Sequence, residues 1–114
     1  MSRVIVLLRV LFLLILVAML AVTVTASMDR GVFEAGAALW PDPWFRATLA
    51  DAYFGFLAVY VWIAYKEPGW GARLTWFALL MALGNIAIAA YMLLQLFRLR
   101  PGDSMEKLLL RRAG

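Results

Sequence analysis

Long uninterrupted apolar runs, with no alternating or heptad pattern, organise this chain. Residues 10–28 are 19 consecutive uncharged positions dominated by Leu, Val and Ile. At about 1.5 Å per residue they nearly cover a hydrocarbon core of ~30 Å, which predicts a first membrane span over about residues 5–27. Residues 74–97 are 24 uncharged positions, enough for another span with some tilt. Between them, residues 43–65 contain Arg46 and Asp51 as their only charges. Arg46 is close enough to the helix end for its guanidinium to reach the headgroups.

Punctuation sets the boundaries. Asp42 is a suitable N-cap and Pro43 a natural first helical residue, because the cap oxygen takes a free backbone N–H and proline has none to leave over. Residues 28–42 therefore read as an interfacial loop. Pro68, Gly69 and Gly71 in the turn 66–73 stop one helix and return the chain, so spans two and three are expected to form an antiparallel hairpin. The expected architecture is all-α and integral to the membrane, with three transmembrane helices in one domain and a basic tail over residues 98–114. Val24-Thr25-Ala26 resembles a signal-peptidase site, so a cleaved signal peptide competes with a retained first span; retention is expected.

Lipid tails compete equally well for apolar side chains, so small and polar positions should mark helix contacts. Gly55, Ala58, Trp62 and Tyr65 follow Asp51 at alternating steps of four and three, and Thr75, Ala78, Ala82, Asn85 and Ala89 do the same in the third span. Folding about Gly69 would pair Gly55 with Asn85, Ala58 with Ala82, Trp62 with Ala78 and Tyr65 with Thr75. The first span shows no such seam and is expected to face lipid, pigment or a partner.

Composition then removes most chemistry. Of 114 residues 66% are hydrophobic and 16% charged, against about 25% charged in a soluble domain. There is no Cys and no His, which excludes disulfides, thiolate and imidazole catalysis and the usual zinc and haem ligation. No catalytic, cofactor-binding or metal-ligating residue is expected, and the chain reads as non-enzymatic. The net charge of +4 lies at helix ends and in the tail, so anionic lipid headgroups, met by Arg98, Arg100, Lys107, Arg111 and Arg112, fit better than nucleic acid. Residues 105–112 could lie on the membrane surface as a basic amphipathic turn. Trp40, Trp44, Phe45, Tyr65 and Trp70 fit interfacial aromatic belts.

Asp51 is the most informative residue, since an ionised carboxylate two turns inside a membrane helix must be paired or hydrated. In the expected hairpin it joins Tyr91, Gln95 and Thr23 in a polar cluster. That cluster is expected to lock helices or anchor a partner, with a proton or substrate path as the alternative. Asn85 in mid-membrane reads as a hydrogen-bonded packing contact, and Lys66 with Glu67 as a solvated pair or turn anchor. For three spans, counting Lys and Arg by side gives seven with the tail and four with the N-terminus, which favours a cytoplasmic tail.

Pro43-Trp44, Ala47-Thr48-Leu49, Asp51, Tyr53, Trp62-Ile63-Ala64-Tyr65-Lys66-Glu67, Trp70, Gly84 and Leu94-Gln95-Leu96-Phe97 resemble an uncharacterised family of short three-span membrane proteins of bacteria and plants, over residues 40–97. The resemblance implies the topology and singles out Asp51, Tyr53, Lys66 and Glu67 without giving them a role. The expected function is a non-enzymatic accessory subunit of a larger energy-transducing complex, photosynthetic or respiratory, in a bacterial inner membrane, with other membrane subunits and anionic lipids as partners. The alternatives are a small transporter or channel subunit oligomerising around Asp51, and a spacer that binds quinone, pigment or lipid. No cofactor is required; a lipid, quinone or pigment would be held at contacts with partner subunits.

Overall fold

A computed structural model describes residues 3–111 and is helical throughout its regular structure. Helix α1 (Arg3–Asp29) and helix α3 (Pro43–Lys66) are the two helices long and apolar enough to cross a membrane. The short α2 (Val32–Leu39) joins them. At the start of α3 the Asp42 side chain accepts from Trp44 N–H at 2.9 Å with Pro43 in the first turn, which is the cap that the Asp-Pro pair implies.

After α3 the chain departs from the expected single third span. Residues 74–97 are broken at Gly84 into α4 (Trp70–Leu83) and α5 (Asn85–Phe97). Gly84 has φ 56° and ψ −120°, a conformation side chains rarely tolerate. It still donates its N–H to Leu80 O and accepts from Ile88 N–H, so each flanking helix stays bonded up to the turn. The two helices fold back on one another: Tyr91 packs edge-on to Trp76 with ring centroids 4.8 Å apart, and Leu80 shares a buried cluster with Ala87 and Tyr91. Fifteen residues of continuous helix would place Trp76 and Tyr91 about 22 Å apart.

Phe56, about midway along α3, sits against the apex; a Cβ on Gly84 would lie 2.6 Å from its Cζ. The α4–α5 hairpin therefore reaches from the C-terminal end of α3 to its middle and returns. That end of the bundle is called proximal below, and the end holding Asp29, α2 and Pro43 distal.

The first helix was expected to have no packing seam and to touch the other spans through Thr23, yet its N-terminal turns pack antiparallel on α5. Ile5 is buried with Leu96, Leu99 and Leu108, with Leu8, Phe12 and Met92 against them. Arg9 donates to Leu96 O at 2.8 Å and lies over the Phe97 ring. Ile5, Leu8 and Phe12 follow helical spacing, but in a helix apolar on every side nothing distinguishes them from their neighbours. The start of α1 and α6 (Met105–Leu109) thus meet at the proximal end, where α6 closes the bundle.

Candidate functional site

Two regions stand out, a polar knot at the proximal end and an open groove between α1 and α3. The knot is built on the last turn of α3. Lys66 is 6% exposed, and its ammonium donates to the carbonyls of Leu108 and, at 3.4 Å, Lys107. Trp62 Nε1 donates to Leu109 O at 2.8 Å, and Arg111 Nε to Tyr65 O at 2.6 Å. Two side chains at the end of α3 and one from the tail thereby tie the two together, while Leu108 inserts beside Ile5, Leu96 and Leu99. The tail is docked on protein, whereas its basic, leucine-rich sequence suggested the membrane surface. Backbone carbonyls in a poorly hydrated place need donors, and Lys66 and Trp62 supply them.

On the other side of α3, Tyr91 donates to Glu67 Oε1 at 3.2 Å and is held edge-on by Trp62 and Trp76. Arg73 Nε donates to Ala64 O and Glu67 O at 2.9 and 2.7 Å, bonding carbonyls that the end of α3 leaves open. Lys66 and Glu67 are therefore not a solvated pair: one holds the tail and the other holds α5. Changing Tyr91 to Phe removes one hydrogen bond to a carboxylate and leaves the ring packing, so a loss of about 1–2 kcal/mol in detergent unfolding is expected. A change below ~0.3 kcal/mol would mean that Glu67 does not depend on it.

The expected polar cluster does not assemble. Because α5 turns back at Gly84, Tyr91 and the buried Gln95 go to the proximal end, whereas Asp51 and Thr23 stay exposed in the distal half. The seam is likewise displaced. Gly55, Ala58, Thr75, Ala78, Ala82 and Asn85 are exposed, Trp62 is half-buried, and of the nine residues of the expected cluster's third-span stripe and hairpin pairing only Ala89 is fully buried. The observed contact instead uses bulky residues, Phe56, Tyr60 and Ile63 on α3 against Trp76 and Leu80 on α4. Tyrosine hydroxyls fix it, Tyr53 donating to Met81 O and Tyr60 to Arg73 O, both at 2.9 Å. These hydroxyls satisfy carbonyls that small residues could not reach, and aromatic side chains fill the wider interhelical space.

The belt residues Trp40, Trp44, Tyr65 and Trp70 are exposed and Phe45 is half-buried. Arg98, Arg100, Lys107 and Arg111 are exposed, and Arg112 lies outside the described residues. Sequence reasoning saw in Arg9 a charged flank or a headgroup-layer contact, and missed its bond to Leu96, the burial of Leu108 and the Tyr91–Glu67 bond, all of which depend on distant parts of the chain meeting.

The second region is an apolar groove of about 410 Å³ bounded by Phe12 of α1, Ala58 and Trp62 of α3, Met92 of α5 and Leu109 at its proximal end. Beyond the Gly84 apex the groove has no floor, because α5 stops there. In the distal half α1 and α3 run on with only the short α2 beside them, and over the most apolar 18 residues of each helix only 6% are buried.

A family described as a protein of unknown function (DUF1475) matches residues 1–113. The chain belongs to this family. The match to DUF1475 takes in the first helix and nearly all of the tail, well beyond the 40–97 stretch that the motifs alone suggested. The chain matches no curated protein and no solved structure. Within this DUF1475 member, the Trp62-to-Glu67 segment is where the tail, α4 and α5 are all fastened to α3.

Proposed function

We propose that this chain is a non-enzymatic accessory subunit of a larger membrane complex, with the distal halves of α1 and α3 as its docking surface. The supporting observation is that neither α4 nor α5 covers them. The chain builds a closed, hydrogen-bonded proximal half, but beyond the Gly84 apex the buried clusters end and α1 and α3 have only the short α2 beside them. A photosynthetic or respiratory complex is the expected host. Purification in mild detergent tests the reading: the chain should migrate with a larger assembly, and a monomer running alone would sink it.

The fold also supports a particular topology, two full spans and a re-entrant hairpin. Gly84 packs on Phe56, ten residues or about 15 Å along α3 from Lys66, which is half of a ~30 Å hydrocarbon core. Helices of 14 and 13 residues are about 20 Å long, too short to cross that core. Non-helical backbone at such depth needs protein around it, and Phe56 and Tyr53 give it that on one side. Both termini then share a face with the α3–α4 turn. Arg3, Arg9, Lys66, Arg73, Arg98, Arg100, Lys107 and Arg111 gather on that face, against Arg30 and Arg46 on the other. This asymmetry favours a cytoplasmic proximal face and is sharper than the seven-to-four count for three spans.

The natural sequence lacks cysteine, so single replacements report sidedness cleanly. Cysteines at Gly69 and Ser104 should react with an impermeant reagent from the same, cytoplasmic, face, and one at Gly31 from the opposite face. Three spans would put Gly69 and Ser104 on opposite faces.

A further inference from the structure

We infer that the α1–α3 groove receives a single transmembrane helix of a different protein, one carrying a Lys or Arg side chain level with Asp51. The inference rests on the accessory-subunit reading and adds the chemistry of the partner.

Asp51, Gly55, Ala58 and Trp62 follow one another at steps of four, three and four residues and so lie along one face of α3. Ala58 and Trp62 of that face line the groove, so the same face carries Gly55 and Asp51 into the distal gap. Gly55 has nothing within 4 Å of where a Cβ would stand, and Ala58 is exposed. A stripe of this kind lets a foreign helix approach closely, and among the described residues Asp51, Gly55 and Ala58 of it stay exposed.

The carboxylate selects among occupants. Asp51 lies eight residues, about 12 Å, inside the distal end of α3. It is exposed, and no hydrogen bond or ion pair from it occurs among the described residues. At that depth an uncompensated carboxylate is costly, and the usual remedy is a partner of opposite charge. Lipid acyl chains offer it nothing. A second copy docked through the same face would set Asp51 near its own counterpart, where like charges repel. A helix bearing a basic residue at that level neutralises it and fills the gap with apolar side chains.

A photoreactive residue at Ala58 in the full chain, in its native membrane, tests this. The adduct should contain a transmembrane peptide of another protein with Lys or Arg at the level of Asp51, whereas the same probe at Ala78, on the outer face of α4, should not give it. Asp51→Leu should lower that adduct at least tenfold without changing the melting temperature of the purified chain, since Asp51 makes no internal contact. Should Asp51→Leu fold poorly, Asp51→Asn serves with a smaller loss. Combining Asp51→Lys with an acidic replacement of the partner's basic residue should restore the adduct. An adduct within the chain's own sequence, a partner helix without a basic residue, or an adduct indifferent to Asp51 would overturn the inference. Co-migration with a larger assembly would in those cases leave the accessory role standing, whereas loss of co-migration would remove both.

Discussion

Replacing Gly84 by alanine should destabilise the chain by roughly 2–5 kcal/mol, more than any other small change at a single backbone position. Two independent penalties combine. A side chain at φ 56° costs about 1–2 kcal/mol in backbone strain. The added methyl, 2.6 Å from Phe56 Cζ, must displace a half-buried ring, which as an overpacking event costs about 1–3 kcal/mol. A double-mutant cycle separates them. Phe56→Leu in the Gly84→Ala background should recover the steric part and leave the strain, so the coupling between the two sites should exceed ~1 kcal/mol. Unfolding in mixed detergent measures it, and additivity would show that the hairpin apex does not rest on Phe56.

Ending the chain after Ser104 should cost about 3–5 kcal/mol, although every residue removed belongs to an apparently dispensable basic tail. The loss comprises Leu108, 1% exposed among Ile5, Leu96 and Leu99, for which removing a buried leucine side chain is worth about 2–4 kcal/mol. To this is added the loss of the carbonyls that accept from Lys66 and from Trp62, and a buried ammonium deprived of acceptors is expensive. Leu108→Ala alone should show most of the packing part. If the truncated chain unfolded at the same denaturant concentration as the full chain, the tail would have to be a passive surface segment.

The two long helices were legible in the sequence because their signals are local: α1 from its unbroken apolar run, α3 from the Asp42-Pro43 start and the Pro68-Gly69 stop. The break at Gly84 was not. Glycine is frequent within membrane helices, no proline or charge flanks this one, and the need for a positive φ arises only when α5 folds back onto Trp76 and Phe56. The small-residue seam failed for a related reason. It marks a face of α3 that is left mostly exposed, whereas Phe56, Tyr60 and Ile63 on another face hold the hairpin, and tyrosine hydroxyls capping carbonyls have no sequence signature. The tail motif misled because three leucines between basic residues read the same whether they rest on lipid or on Ile5, and only the meeting of the termini decides. Asp51 was singled out from its depth alone, and the neighbours assigned to it were wrong because Tyr91 and Gln95 had been placed on an uninterrupted helix.

The contact of Ile5 with the cluster that holds Leu108 has a bearing on biosynthesis. Ile5 and Leu108 lie 103 residues apart in sequence, so the N-terminal turns of α1 cannot complete this packing until Leu108 has been made, and loop closure over that distance must precede any reward from the contact. Until then Ile5 lacks part of the cluster that buries it. Any product cut short before Leu108 lacks the closing contact and leaves apolar surface open at the proximal end, so the architecture distinguishes chains that include Leu108 from those that do not.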